Sequence, residues 1–238
     1  MKASKQFILA VLTLFTINAR GQDNFKTTVE QQKNTYLLPN GKPLKEDKFD
    51  SLENAWGKNR VLFSHNENDD KNGIIHLIRL TVEMEKEMKK AQASRLIAHD
   101  AMLNKPAPLF TLKDLKGKTW TLKDLRGKIV VLNFWFTSCA PCVQEMPELN
   151  KLVSEYSNKD VVFLGLTYNT AQQTVSFLER HPFKYHILPN SEEIDKKYHI
   201  DSWPITIVID QLGNIQHIMS YSPKINDELS SIINSLEK

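Results

Sequence analysis

Cysteine is nearly absent: Cys139 and Cys142 are the only two in 238 residues. A closed structural zinc site asks for four ligands, and there is no second Cys-x-x-Cys to complete one. An inert cross-link explains the pair poorly, because so short a loop constrains the unfolded chain little. Long apolar runs are missing as well. The amino-terminal one, Phe7 to Ile17, has 11 residues, where a bilayer core takes about 20. Surplus charge is also missing once the first segment is set aside. Without Lys2, Lys5 and Arg20 the 31 basic residues become 28, equal to the 28 acidic ones. That balance removes the general electrostatic argument for nucleic acid or an anionic membrane as a partner.

The first segment, residues 1–21, reads as an export signal: a basic start at Lys2 and Lys5, the apolar stretch, then small residues at Ala19 and Gly21 for cleavage. Arg20 makes the cleavage site imperfect, which leaves an uncleaved anchor as the alternative. No cysteine follows the stretch, so lipid attachment there is excluded. Proteins made for an oxidising compartment usually carry structural disulfides, yet here no other thiol competes with Cys139 and Cys142. Such economy suits a redox protein whose partner disulfide lies in another molecule.

The pair stands as Cys-Ala-Pro-Cys just after the most apolar run of the chain, Ile129 to Phe136. A strand that hands over to a helix at Cys139 sets backbone N–H groups and the positive helix end beside its sulfur, which favours the thiolate. One turn on, Cys142 can reach back and resolve a mixed disulfide. Glu145 follows three residues later on the same helical face. Burial there raises a carboxyl pKa toward neutrality and makes it a proton acceptor for a thiol; the alternative is a solvated surface glutamate.

About Lys105-Pro106-Ala107-Pro108 the pattern changes, and this marks a boundary between residues 22–104, of unassigned role, and 105–238. In the first part, Pro39-Asn40-Gly41 predicts a turn and Leu44 to Trp56 a helix. Arg60 to Ser64 with Gly73 to Val82 predicts a hairpin around a polar tip, Asn66 to Asn72. Met84 to Leu103 predicts a helix with Met84, Met88, Ala91 and Leu96 as its packing stripe. Beyond Phe110, two near-copies of Thr-Leu-Lys-Asp-Leu predict short strands joined by a Gly turn. Lys128–Phe136 and Val161–Thr167 follow as buried strands, Cys139–Ser157 and Thr170–Arg180 as helices, the latter with Val175, Phe177 and Leu178 on its apolar side. Lys184–Leu188 predicts a short strand and Ser191–Tyr198 a helical turn or two. Ile205–Asp210 and Ile215–Tyr221 form a hairpin about Gly213-Asn214, and a closing helix from Pro223 to Leu236 carries Ile225, Leu229, Ile232, Ile233 and Leu236 on one face. Alternating strands and helices, then a hairpin and a helix, specify an α/β fold with a mixed sheet covered on both faces.

Residues 105–238 resemble the exported thioredoxin-like thiol–disulfide oxidoreductases of the TlpA/ResA type. The resemblance rests on Pro106-Ala107-Pro108-Leu109-Phe110-Thr111-Leu112, on Val131 to Cys142, on Glu145-Met146-Pro147-Glu148-Leu149 and on Trp203-Pro204-Ile205-Thr206. It implies a thioredoxin-like fold, a central mixed sheet flanked by helices with an N-terminal hairpin extension; the small α+β domain read before it, residues 22–104, matches nothing in that family. The resemblance implies Cys139 as nucleophile, Cys142 as resolving thiol, and a cis peptide bond before Pro204 that leaves the Trp203 backbone to pair with an extended partner segment, with Ala140 and Pro141 alongside. Cytoplasmic thioredoxins place an acidic residue on the preceding strand; that position is Asn133, so Glu145 inherits the proton-transfer role. Ser138 stands where many relatives have Trp, and Ile205 where Thr is common. These departures leave the exchange chemistry intact and bear on partner identity.

The expected activity is thiol–disulfide exchange outside the cytoplasm, in the periplasm or its equivalent, with no cofactor beyond the Cys139–Cys142 disulfide. Partners are disulfide-containing proteins, with apocytochrome c suggested first by the resemblance, and a membrane thiol electron donor. A reductase direction is preferred, with disulfide formation in folding proteins as the reverse. A peroxidase is the alternative on the same fold, although such enzymes need Pro and Thr ahead of the reactive cysteine and Phe136 stands three residues before Cys139. A Cu(I) carrier using the same pair lacks nearby Met or His ligands. His181, His186, His199 and His217 are read as structural or surface residues.

Overall fold

The computed structural model describes residues 35–64, 69 and 72–237. The expected signal at 1–21, the start of the following segment and most of the expected hairpin tip lie outside the described residues. The chain divides into two compact units, one through Lys89 and one from Lys90.

The first unit is α+β. Strands β1 (Thr35–Leu37) and β2 (Pro43–Leu44) flank the expected turn, which Gly41 closes with φ of 77° and an N–H donated to the Leu38 carbonyl. Helix α1 (Phe49–Trp56) follows a short 3-10 turn. It starts later than its apolar pattern suggests because Leu44 is held in the sheet opposite Tyr36. Strands β3 (Val61–Ser64) and β4 (Ile74–Arg79) pair antiparallel, as the hairpin expectation has it, and the sheet order is β2-β1-β4-β3. Tyr36, Phe49 and Phe63 form its aromatic centre, the first two with ring centroids 4.9 Å apart.

Helix α2 (Val82–Met102) crosses the division between the units. Its expected packing stripe is not observed as such. Met84 and Met88 are half-buried, whereas Ala91 and Leu96 are exposed, and the residue that α2 buries is His99. Within the second unit, His99 Nε2 lies 3.2 Å from the Tyr198 carbonyl oxygen and Arg95 pairs with Asp201. A buried polar contact and an ion pair thus seat this end of the helix, where apolar periodicity alone points to other residues.

The second unit has the predicted order of elements. A hairpin of β5 (Thr111–Lys113) and β6 (Thr119–Thr121) precedes β7 (Ile129–Trp135), then α3 (Ala140–Glu155), β8 (Val161–Thr167), α4 (Ala171–Leu178), β9 (His186–Leu188), α5 (Glu192–Lys197), β10 (Ile205–Ile209), β11 (Ile215–Ser220) and α6 (Ile225–Leu236). The five-stranded sheet runs β11-β10-β7-β8-β9, with β7, β8 and β9 parallel and β10 antiparallel to both neighbours. This is the thioredoxin-like mixed sheet.

Strand periodicity of two divides the core into two faces. From β7, Ile129, Val131 and Trp135 join Cys139, Cys142, Leu149 and Leu152 of the α3 region and Ile225, Leu229 and Ile233 of α6. Val130, Leu132 and Phe134 face the other way, against Phe110, Trp120, Ile194 and Tyr198. Helix α4 opens with a capping box between Thr170 and Gln173. It buries Thr174 and Phe177; Val175, expected inside, is 47% exposed because the helix turns it away from Trp135, on which Phe177 packs at 5.4 Å.

Candidate active site

Strand β7 ends at Trp135, and four residues later Cys139 caps the N-terminus of α3. Pro141 suits the first helical turn, where an N–H has no intrahelical acceptor. The Cys139 sulfur accepts the Cys142 backbone N–H at 3.3 Å, and the two sulfurs are joined as a disulfide with Cα atoms 5.2 Å apart. When the disulfide opens, the same N–H and the positive end of a 16-residue helix remain to stabilise a Cys139 thiolate. Both cysteines are buried, Cys139 at 3% exposure, while Ala140 is exposed and Pro141 half-exposed beside them.

The turn that delivers Cys139 is held from β8. Asn169 Oδ1 accepts the Thr137 backbone N–H at 2.9 Å and the Thr167 hydroxyl at 3.0 Å. On β7, Asn133 donates its amide to Thr206 Oγ1 at 3.0 Å, directly across the β7–β10 pairing. The acid-bearing position of cytoplasmic thioredoxins is here a neutral, satisfied pair.

Glu145 is buried at 3% exposure, so the surface reading of this residue is overturned. Its Oε1 accepts the Ser222 backbone N–H at 2.8 Å, whereas Oε2 is buried with no partner among the described residues. Burial pushes the carboxyl up to about 7, with Glu228 adding a like charge and the Ser222 bond opposing both. A carboxyl one helical turn beyond Cys142 therefore titrates near neutrality, where a thiol proton needs an acceptor.

The Trp203–Pro204 peptide bond is cis. Pro204 is buried and Trp203 half-buried, packed against both core faces. Around Trp203 stand two residues that sequence reasoning did not join to it. Phe136 meets it edge-on at 5.4 Å, Tyr168 at 5.5 Å, and Phe136 and Tyr168 stack at 5.4 Å. Each follows the end of a neighbouring strand, which only the sheet register reveals.

His181 and His186 are spaced as His-x4-His, the separation of many zinc pairs. However, His181 stacks on Phe177 at 4.6 Å and His186 lies 4.3 Å from Trp120, a residue of the opposite core face. Among the described residues, no three His, Cys, Asp or Glu side chains gather to hold a metal ion.

A Cys-x-x-Cys disulfide at a strand-to-helix junction of such a sheet is the arrangement of the thioredoxin-like class. Residues 103–218 match the model of the AhpC/TSA family, and the chain belongs to the thioredoxin-like family of the first relative below. It is 39% identical over 116 residues to the thioredoxin-like protein YneN of Bacillus subtilis, covering 47% of this chain and 68% of that one. To the thiol–disulfide oxidoreductase ResA of Bacillus thuringiensis subsp. konkukian it is 36% identical over 115 residues, 48% of this chain and 66% of ResA. The chain thus spans about two thirds of the length of these relatives. The solution structure of a candidate protein disulfide isomerase from Bacteroides thetaiotaomicron superposes with a TM-score of 0.54 at 26% identity, covering 57% of this chain and 91% of the other. The class of activity is that of the thiol–disulfide oxidoreductases.

Proposed function

We propose that the protein is an exported reductase of disulfides in partner proteins, with Cys139 as nucleophile, Cys142 as resolving thiol and Glu145 as proton acceptor. The observation that carries this reading is the Cys139–Cys142 pair at the α3 N-terminus above a buried Glu145.

The reduced Cys139 thiolate attacks one sulfur of a partner disulfide, forming a Cys139–partner disulfide and releasing the other partner sulfur as thiolate. Cys142 then gives its proton to the Glu145 carboxylate and attacks Cys139 Sγ. The Cys139–Cys142 disulfide forms and the second partner thiolate leaves; one partner thiolate takes the proton held by Glu145, which returns to carboxylate, and the other takes a proton from solvent, matching the one Cys139 lost on ionising. Two electrons and two protons pass to the partner, with the disulfide itself as the only redox group. A membrane thiol donor restores the dithiol. Trp203, beside the cis bond to Pro204, offers its backbone to an extended partner segment, flanked by Ala140 and Pro141. The resemblance to the TlpA/ResA type points to apocytochrome c thiols as the first partner to test, and the basic-then-apolar amino terminus supports an extracytoplasmic location. Among the described residues no helix is long and apolar enough to cross a membrane.

Insulin reduction by the full chain, driven by dithiothreitol, tests the reading. Turnover is expected, with its loss in Cys139→Ser and a trapped mixed disulfide in Cys142→Ser. Peroxide consumption without insulin reduction would transfer the site to the peroxidase reading, and stoichiometric Cu(I) binding without exchange to the carrier reading.

A further inference from the structure

The β7–β8 pairing ends with Trp135 opposite Thr167. Beyond it the first of these strands leaves the sheet for α3, through a turn in which the Phe136 carbonyl accepts the Cys139 N–H at 3.1 Å. Inside that turn the Thr137 N–H finds its acceptor two residues past the last β8 pair, in the Asn169 side chain, at 2.9 Å. Asn169 thus adds one rung to the ladder without extending the strand. The residue is itself fixed at three atoms. Its Oδ1 also accepts the Thr167 hydroxyl at 3.0 Å, its N–H donates to Thr167 Oγ1 at 3.3 Å, and its carbonyl accepts the Asn190 N–H at 3.0 Å. Asn169 is 5% exposed and Thr167 wholly buried. Because a backbone N–H only donates, the amide oxygen must face the turn, and the Thr167 hydroxyl on the same oxygen holds it there.

We propose that Asn169 is a positioning residue for Cys139: by holding the Thr137 N–H, two residues before the nucleophile, it keeps the Cys139 sulfur in line with the α3 N-terminus. This rests on the reading of Cys139 as nucleophile. Thiolate stabilisation there depends on alignment, since the field of a helix end falls off within its first turn. The donor that serves the sulfur, the Cys142 N–H, reaches it at 3.3 Å in the same geometry. A turn closed only by its own Phe136–Cys139 bond would let the sulfur swing away from both. An amide suits the position because it accepts as a backbone carbonyl does and brings no net charge. A carboxylate making the same two bonds would set a like charge beside the turn that delivers the thiolate, and would oppose its formation. The Thr167 hydroxyl shares the task at one remove, by orienting the amide.

The pH dependence of Cys139 alkylation by iodoacetamide tests this, in the full chain carrying Cys142→Ser so that a single thiol reports. Thermal melting confirms that each variant is folded. Asn169→Ala should move the midpoint up by about one pH unit and slow the reaction about tenfold below it, with the rates converging at high pH, where the thiol is ionised in both chains. Thr167→Val, which removes the hydroxyl that orients Oδ1, should shift the midpoint the same way by less, and Thr167→Ser should restore the parent profile. That pair carries the test if Asn169→Ala does not fold. A midpoint unchanged in Asn169→Ala and Thr167→Val, or rates lowered equally at every pH, overturns the positioning role and leaves Cys139 as nucleophile. A parent chain whose Cys139 resists alkylation at every pH overturns the nucleophile reading, and this inference with it.

Discussion

On the sheet face away from the cysteines, three buried polar side chains of the core are paired. The Tyr198 hydroxyl donates to the Pro108 carbonyl at 2.7 Å, the Trp120 indole to Asp114 at 2.9 Å, and the Ser191 hydroxyl to Asp195 at 2.8 Å. On the cysteine face, Glu145 Oε2, Tyr185 O–H and the Trp135 indole N–H are buried without partners among the described residues. Each such group costs free energy, so a face that keeps several is held by something other than stability. The contrast separates a structural face from a working one. A carboxyl with a neutral pairing partner, Asp195, belongs to the first; one with an oxygen to spare, Glu145, belongs to the second, where we propose that it takes a thiol proton.

The largest expected effect lies on the structural face. Phe134→Ala removes a fully buried ring packed 5.5 Å from Tyr198 and should cost about 3–5 kcal/mol in urea unfolding. Exchange per folded molecule should hardly change, and a collapse of specific activity would show that the two faces are not independent.

Glu145 and Asp195 sharpen the comparison, because burial pushes both carboxyls up to about 7. An acid with a raised folded pKa favours the native state while protonated. That contribution is fully present below the unfolded value, 4.5 for Glu and 3.8 for Asp, and is lost as pH rises through 7. Glu145→Gln and Asp195→Asn should therefore each stabilise the protein at pH 8, by on the order of 3 kcal/mol, with the gain vanishing near pH 4. Only Glu145→Gln should slow exchange. Equal slowing in both would make the cysteine face unexceptional.

A smaller effect is expected at Gly165 in β8. A Cβ there would stand 2.9 Å from Ile187 Cδ1 and 3.2 Å from both Phe183 Cε1 and the Trp135 indole nitrogen. Gly165→Ala should cost about 1–3 kcal/mol, measured by thermal melting, through crowding on the cysteine face.

Much of this could be read from the residues. Val161–Thr167 is a strand with the predicted bounds, because a parallel strand covered on both sides is a continuous apolar run. Glu145 could be placed because it shares a helix with Cys142, and local spacing fixes helical faces. The groups that escaped depend on pairing between distant segments. Tyr185 reads as one more aromatic in Pro182-Phe183-Lys184-Tyr185, and nothing local says that its hydroxyl is buried without a partner among the described residues. Phe136, Tyr168 and Trp203 come together only through the β8-β7-β10 order. Ala91 and Leu96 show the converse failure, since α2 is seated by Arg95 and His99, whose polar partners lie about a hundred residues away.

The account depends most on the Cys139–Cys142 pair being a reversible redox couple. Equilibration of the full chain with glutathione or dithiothreitol buffers, with Cys142→Ser to trap mixed disulfides, measures this directly. A single two-electron transition toward the reducing end of the thioredoxin range, about −270 mV, is predicted, with Cys139 as the trapped thiol. A potential near −120 mV would contradict the reductase direction, and a pair that never equilibrates or traps a partner would contradict the exchange chemistry itself.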